Sequence, residues 1–257
     1  MQITPLTPTI GAELSGIDLT RQLDDATVAA IRQALLDHQV IFMRDQPLDP
    51  DGLAAFAERF GPLYVQPDGW SQYVVPHVMT VHMDGDTKVH AGPQWHSDLS
   101  CAEHPPMGSI LHNHQIPESG GDTLFANMAA AFAALSLPLR RWLETLTAVH
   151  SYVYDDGSWP EVRAEHPAIT THPETGAKVL YVNRSYTSHI KELEPAESRS
   201  LLAFLYRLTE QPRFQCRFRR SANALAFWDN RAAQHMALWD YRPAVRSGHR
   251  VDIGQAQ

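Results

Sequence analysis

A mostly β chain with flanking helices, folded as a β-sandwich or jelly roll, is what the 257-residue sequence predicts. Three observations carry that expectation. Short apolar or alternating runs bounded by Gly, Pro and Asp recur along the chain, the pattern of strands. Helical spacing is concentrated near the N-terminus and in two later stretches, so helices decorate a sheet core rather than alternate with strands. The composition, 44% apolar and 19% charged, supports a substantial core, and there is no internal repeat or low-complexity tract. One domain over residues 1–257 accommodates this.

Ile10 to Leu19 alternates small, polar and apolar residues and reads as a strand or hairpin. Asp24 and Asp25 stand at an N-cap position, followed by Val28, Ile31, Ala34, Leu35 and Leu36 at helical spacing. Val40 to Met43 is an apolar run, a buried strand. A second helix opens at Pro50-Asp51, carries Leu53, Phe56, Ala57 and Phe60, and stops at Gly61-Pro62. Tyr73–Val75 and Val78–Val81 read as short strands between loops, and Gly108–His114 as a core strand. Met128 to Leu146 is helical with a break at Ser136-Leu137-Pro138. Ser151 to His166, with Tyr152, Tyr154 and Trp159, has no sustained periodicity and reads as a loop or lid. A hairpin follows, 168–171 and 179–182 around Pro173 to Gly176, and then a helix from Glu194-Pro195 to Thr209. Phe214–Arg219, Ala224–Trp228 and Arg250–Ile253 complete the strands.

Charge and cysteine usage exclude several classes. The net charge of −8, from 21 basic and 29 acidic residues, leaves no basic excess for nucleic acid. Cys101 and Cys216 alone form neither a disulfide framework nor a Cys-rich zinc site. There is no apolar run of membrane-spanning length, and Met1 to Pro5 does not read as a signal peptide, so a cytoplasmic protein without a membrane partner is expected. The chain holds 14 histidines, the commonest metal-ligating side chain.

Spacing narrows the choice among them. In Trp95-His96-Ser97-Asp98, an extended backbone points residues 96 and 98 to one face. An imidazole and a carboxylate there, with a second histidine from elsewhere, leave three positions open on a divalent first-row metal, as in non-haem Fe(II) oxygenases. His235, just past the strand and turn of Phe227 to Arg231, is the candidate third ligand. Arg246 lies 11 residues beyond it and Arg250 15 beyond. A guanidinium can grip a carboxylate in a two-pronged pair, so Arg246 is a candidate partner for a dicarboxylate co-substrate, while Arg242 reads as surface charge.

Trp95 to Asp98, Gly120-Gly121-Asp122-Thr123, Trp228-Asp229-Asn230-Arg231 with His235, and Arg246 with Arg250 resemble the taurine / 2,4-dichlorophenoxyacetate dioxygenase family. Ile10 to Leu14, Gly16 to Leu19, Phe60-Gly61-Pro62 and Thr171 to Gly176 fall in the same order, so the resemblance covers nearly the whole chain. It implies a double-stranded β-helix, a form of jelly roll, and an enzyme that uses Fe(II), 2-oxoglutarate and O2. By position it implies His96, Asp98 and His235 as iron ligands and catalytic residues, and Thr123 with Arg246 on the distal carboxylate of 2-oxoglutarate. Arg250 matches an arginine that meets anionic substrates. The implied reaction oxidises, and most simply hydroxylates, a small anionic organic substrate with release of succinate and CO2. Desaturation, cyclisation or oxidative cleavage is the alternative within the family. Family members assemble as dimers or tetramers, so a homo-oligomer is expected.

One departure concerns the substrate. Taurine-specific members carry histidines after the Phe-Gly turn, whereas this chain reads Leu63-Tyr64-Val65-Gln66-Pro67. That argues against taurine and leaves Tyr64 and Gln66 as the substrate-facing candidates. His112 and His114 share a strand face but lack a nearby carboxylate and arginine. His77, His82 and His90 fall in a loop region, His249 beside Arg250 is a candidate neighbour of the iron site, and Cys101 reads as a packed thiol. A zinc hydrolase with the same ligands has no use for Thr123 and Arg246 as a dicarboxylate clamp, and a non-enzymatic jelly-roll binding protein has none for an intact triad.

Overall fold

The computed structural model describes residues 1–66, 72–88, 92–153 and 161–255. A hairpin of β1 (Gln2–Pro5) and β2 (Ala12–Ser15) opens the chain, its first strand earlier than the sequence pattern indicates. Asp24 accepts the Thr27 backbone N–H at the head of α1 (Asp25–His38), and Gln39 in a left-handed conformation ends it. Then come β3 (Val40–Met43) and α2 (Pro50–Glu58), which Asp49 caps in the same way. β4 (Tyr73–Val75), β5 (Val78–Met83), β6 (Gly108–Gln115) and β7 (Thr123–Asn127) follow. The helical stretch divides at Ser136 into α3 (Met128–Ala133) and α4 (Leu137–Leu143). β8 (Thr147–Tyr152), β9 (Val162–Pro167), β10 (Ile169–Thr171), β11 (Lys178–Leu180) and β12 (Thr187–Ile190) lead to α5 (Pro195–Thr209). The chain closes with β13 (Gln215–Phe218), β14 (Ala224–Asp229), β15 (Ala233–Ala237) and β16 (Arg246–Ile253).

The main sheet has the order β1-β2-β3-β14-β6-β16-β5-β4, and the smaller sheet facing it is β13-β7-β15. Alternation places the cores on either side of the main sheet. Val40 and Phe42 of β3, with Ala224, Ala226 and Trp228 of β14, point inward and pack on Phe125 and Phe218 of the small sheet. Phe42 stacks on Phe218 at 3.9 Å and meets Phe125 edge-on at 5.6 Å. The intervening Ile41, Met43, Leu225 and Phe227 point outward, under α1 and α2. Both faces of β3 and β14 are therefore buried, which is why they read as unbroken apolar runs. A third cluster packs α3 and α5 against β8, β10 and β11. The arrangement is a jelly roll with helical decoration, as expected.

The stretch read as a lid differs. Its described parts are paired strands, with β8 and β9 antiparallel from Thr147↔Pro167 to Tyr152↔Val162. Only half-buried Val162, Ala164 and His166 mark one face of β9, a weak signal for an edge strand. Tyr154, Trp159 and His90 lie outside the described residues.

Candidate metal centre

His96 and Asp98 do not sit on one extended strand. His96 makes an isolated bridge to His235, with backbone bonds of 3.0 and 2.8 Å in the two directions, and Asp98 begins a turn. The Asp98 N–H donates to Asn230 Oδ1 at 3.2 Å, and Ser97 Oγ donates to the Asn230 carbonyl at 2.5 Å. Asn230 thus fixes the turn that brings the carboxylate beside the two imidazoles. His235 is not at a strand end but inside β15, paired with Phe125 of β7.

Ligand atoms of His96, Asp98 and His235, all three buried, lie within 4.8 Å of one another. Asp98 Oδ1 is 3.5 Å from His96 Nε2 and 3.7 Å from His235 Nε2. Its other oxygen is fully engaged. Oδ2 accepts from Ser109 Oγ at 2.9 Å and Trp228 Nε1 at 3.0 Å, and Arg250 Nη2 lies 2.8 Å away. One oxygen is held and the other left for a cation. His96 is oriented likewise: Nδ1 donates to the Gln94 carbonyl at 2.7 Å, which leaves the Nε2 lone pair free. Gly92, at φ +64°, presses on this ring, and a Cβ there would stand 2.7 Å from His96 Cε1.

Burial alone would push the Asp98 carboxyl up, but Arg250 and the two imidazoles hold it well below the ordinary carboxylate range. Burial, then the adjoining His96, pushes His235 well below the imidazole range, so it is a neutral donor at pH 7. The neutral His235 imidazole, His96 Nε2 and one ionised carboxylate form a donor set for a divalent cation.

A cavity of about 90 Å3 opens beside the triad between the two sheets. Thr123, the first residue of β7, and Arg246, the first of β16, line it together with Arg250, Arg220 and the apolar Val81, Met83 and Leu111. Arg246 is 4% exposed and its Nε has no hydrogen-bond partner among the described residues, an orphaned buried donor that calls for an acceptor. Gly120 and Gly121 turn the chain into β7 with φ of +78° and +70°, and a Cβ on Gly120 would meet Asp240 Oδ1 at 2.7 Å. The Gly-Gly-Asp-Thr motif therefore serves to deliver Thr123.

Other candidates fall elsewhere. Arg250 lines the cavity, but it also donates through Nε and Nη2 to Asp252 Oδ1 at 2.9 and 2.8 Å, so it holds Asp98 as well as facing the pocket. Tyr64 and Gln66 do not line this cavity; Gln66 Nε2 donates to Asp252 Oδ2 at 2.7 Å, behind Arg250. His249 is on the opposite face of β16 from Arg250, its ring 4.8 Å from that of His114, so it does not adjoin the triad. His112 is buried with Nε2 donating to the Gln46 carbonyl, and His82 faces Ser247 Oγ at 3.2 Å. Cys101 is fully buried, its thiol pushed up to about 12 by desolvation. Ser109, Asp252 and Arg220 were not legible as site residues in the sequence. A lone serine in a core strand and an arginine among Arg217, Arg219 and Arg220 have no distinguishing pattern.

The family model for "Taurine catabolism dioxygenase TauD, TfdA family" matches residues 2–251. The chain belongs to this dioxygenase family. Among its relatives are an alpha-ketoglutarate-dependent sulfate ester dioxygenase of Pseudomonas putida, 35% identical over 98% of this chain and 89% of that one, and an alkylsulfatase of Acinetobacter baylyi, 32% identical over 98% and 84%. A solved taurine dioxygenase from Burkholderia xenovorans superposes with a TM-score of 0.89 at 38% identity, covering 99% of this chain and 89% of that one. The dioxygenase uses Fe(II), 2-oxoglutarate and O2. The donor set fits that metal, and Arg246, with its buried Nε unpartnered among the described residues, fits a carboxylate. No helix among the described residues is long and apolar enough to cross a membrane.

Proposed function

We propose that this dioxygenase hydroxylates an organic anion with an apolar body, a sulfate ester or sulfonate, at the carbon next to the anionic group. His96 and His235 hold the iron through Nε2, and Asp98 through Oδ1. Thr123 and Arg246 take the distal carboxylate of 2-oxoglutarate. When bound, Fe(II), 2-oxoglutarate and O2 supply the oxidation, in which one oxygen atom enters succinate and the other a substrate C–H bond, with release of CO2.

The observation that carries the substrate class is the pairing of Arg250 with Val81, Met83 and Leu111 around one cavity beside the triad. A guanidinium orients the anionic head, and the apolar side chains take the body and exclude water from the reacting carbon. Burial opposes the Arg250 charge, but Asp252 and Asp98 hold its pKa above the ordinary guanidinium range, so it is a permanent cation. Its Asp98 contact ties the anion-binding residue to the iron ligand, which sets the distance between substrate head and metal. The names of the Pseudomonas and Acinetobacter relatives, a sulfate ester dioxygenase and an alkylsulfatase, agree with such a substrate.

The products follow from organic chemistry. Hydroxylation of a carbon bearing a sulfate ester gives an unstable hemiacetal sulfate, which collapses to an aldehyde and hydrogen sulfate. The same step next to a sulfonate releases sulfite. A panel of alkyl sulfates, alkyl sulfonates, aryloxy acids and amino acids, scored by coupled succinate and aldehyde release, tests this. Turnover of alkyl sulfates or sulfonates with stoichiometric inorganic sulfate or sulfite is expected; turnover confined to aryloxy acids or amino acids overturns the substrate class. The free, buried Cys101 and Cys216 accord with a cytoplasmic enzyme.

A further inference from the structure

We propose that Arg220 is a second cationic residue of the dicarboxylate pocket, setting the Thr123 hydroxyl as a donor and adding charge against the distal carboxylate. The proposal rests on the assignment of Thr123 and Arg246 to 2-oxoglutarate. Arg220 lies in the loop between β13 and β14, 6% exposed, and lines the same cavity as Arg246. Its Nη1 donates to Asn113 Oδ1 at 2.5 Å and its Nη2 to Thr123 Oγ1 at 2.8 Å. Both acceptors are neutral.

Two buried guanidiniums thus line one pocket with no carboxylate bonded to either among the described residues. Asp122, the carboxylate whose charge acts on both, is already gripped by Arg217 Nε at 2.6 Å. The Nε atoms of both Arg220 and Arg246 are buried without a hydrogen-bond partner among the described residues. Burial, and then the Arg246 charge, depresses the Arg220 pKa well below its usual range. Like charges this close in a desolvated site are costly unless an anion completes the set. The second effect is directional. A hydroxyl has one hydrogen, and because Thr123 Oγ1 accepts from Arg220, that hydrogen is left for another acceptor. Arg220 therefore makes Thr123 a donor, which a carboxylate needs.

The test reads binding rather than turnover. Ni(II)-loaded protein is titrated calorimetrically with 2-oxoglutarate and with 2-oxovalerate, which has the same keto-acid head and no distal carboxylate. Arg220→Gln is expected to raise the Kd for 2-oxoglutarate by about 10- to 100-fold, the loss of one charge-assisted contact, and to change that for 2-oxovalerate less than about twofold. Arg220→Lys should recover most of the loss. Equal weakening of both acids, or of neither, overturns the proposal, because a merely structural arginine does not discriminate the tails. Arg246→Gln separates the two levels: if it too leaves 2-oxoglutarate binding unchanged, the assignment of the pocket fails; if it weakens binding while Arg220→Gln does not, only the role of Arg220 fails. Should Arg220→Gln not fold, the wild type decides. Two guanidiniums predict a preference for 2-oxoglutarate above about 100-fold, and a smaller ratio refutes the second one.

Discussion

Ser109→Ala is the smallest perturbation that reaches Asp98, the proposed metal ligand, without changing that residue itself. Ser109 is fully buried on β6, and its hydroxyl donates to Asp98 Oδ2 at 2.9 Å while accepting from Asn230 Nδ2 at 2.9 Å and Arg250 Nη2 at 3.2 Å. Ser109→Ala removes one of three groups holding that oxygen and leaves Trp228 Nε1 and Arg250. A hydrogen bond to a charged group contributes about 1.5–3 kcal/mol, and stranding the buried Asn230 amide costs about 1–3 kcal/mol. The first loss falls on metal binding, because a carboxylate held by two groups in place of three is less firmly oriented with Oδ1 toward the metal. Partners of this kind are typically worth about 10- to 100-fold in metal affinity. The assay is anaerobic Co(II) titration against a competing chelator, with thermal melts of the metal-free protein alongside. Weaker Co(II) binding in that range is expected, with a lower melting temperature. A folded variant whose Co(II) Kd stays within twofold of wild type would refute the reasoning that Oδ2 must be held for Oδ1 to ligate.

Three further outcomes follow. Arg246→Ala should raise the 2-oxoglutarate requirement by about 10- to 100-fold with metal still bound, and an unchanged requirement removes the arginine from the co-substrate site. Gly92→Ala should displace the His96 ring and weaken metal binding at least tenfold while the far-UV spectrum is kept, since the Cβ has 2.7 Å where contact needs more; undiminished Co(II) affinity contradicts the packing argument. Burial, then the His166 charge, lowers His150 to about 3. The unfolded chain therefore takes up a proton near pH 6.5 that the folded chain refuses, so stability present above that pH is lost on acidification toward 3. About 2 kcal/mol should go between pH 7 and 5, and His150→Gln should flatten the denaturation midpoint over that window; an undiminished slope refutes it.

Much of this was written in local pattern. Capping by Asp24 and Asp49 and double-sided burial of Val40–Met43 and Ala224–Trp228 announce themselves through residue type and period. So do His96, Asp98 and His235, because a metal needs particular donors. What stayed hidden depends on register or on distant pairing. β15 is short and buries polar Gln234, whose side chain donates to the Val182 carbonyl at 2.6 Å, so it lacks an apolar signature. His249 looks like a neighbour of the iron site until the alternation along β16 turns it away from Arg250. Arg250 reads as a substrate residue, yet half of what it does is grip Asp98 and Asp252. Arg220 acquires meaning only when folding sets it against Thr123 and Arg246.

Anaerobic titration with Fe(II) and 2-oxoglutarate tests the central claim most directly, because the chelate of keto acid and iron has a weak visible charge-transfer band. The band is expected to form in the wild type, to saturate with one equivalent of each, and to be lost in His96→Ala. Its absence from the folded wild-type protein, or its survival at full strength in His96→Ala, contradicts the assignment of His96, Asp98 and His235 as the iron site.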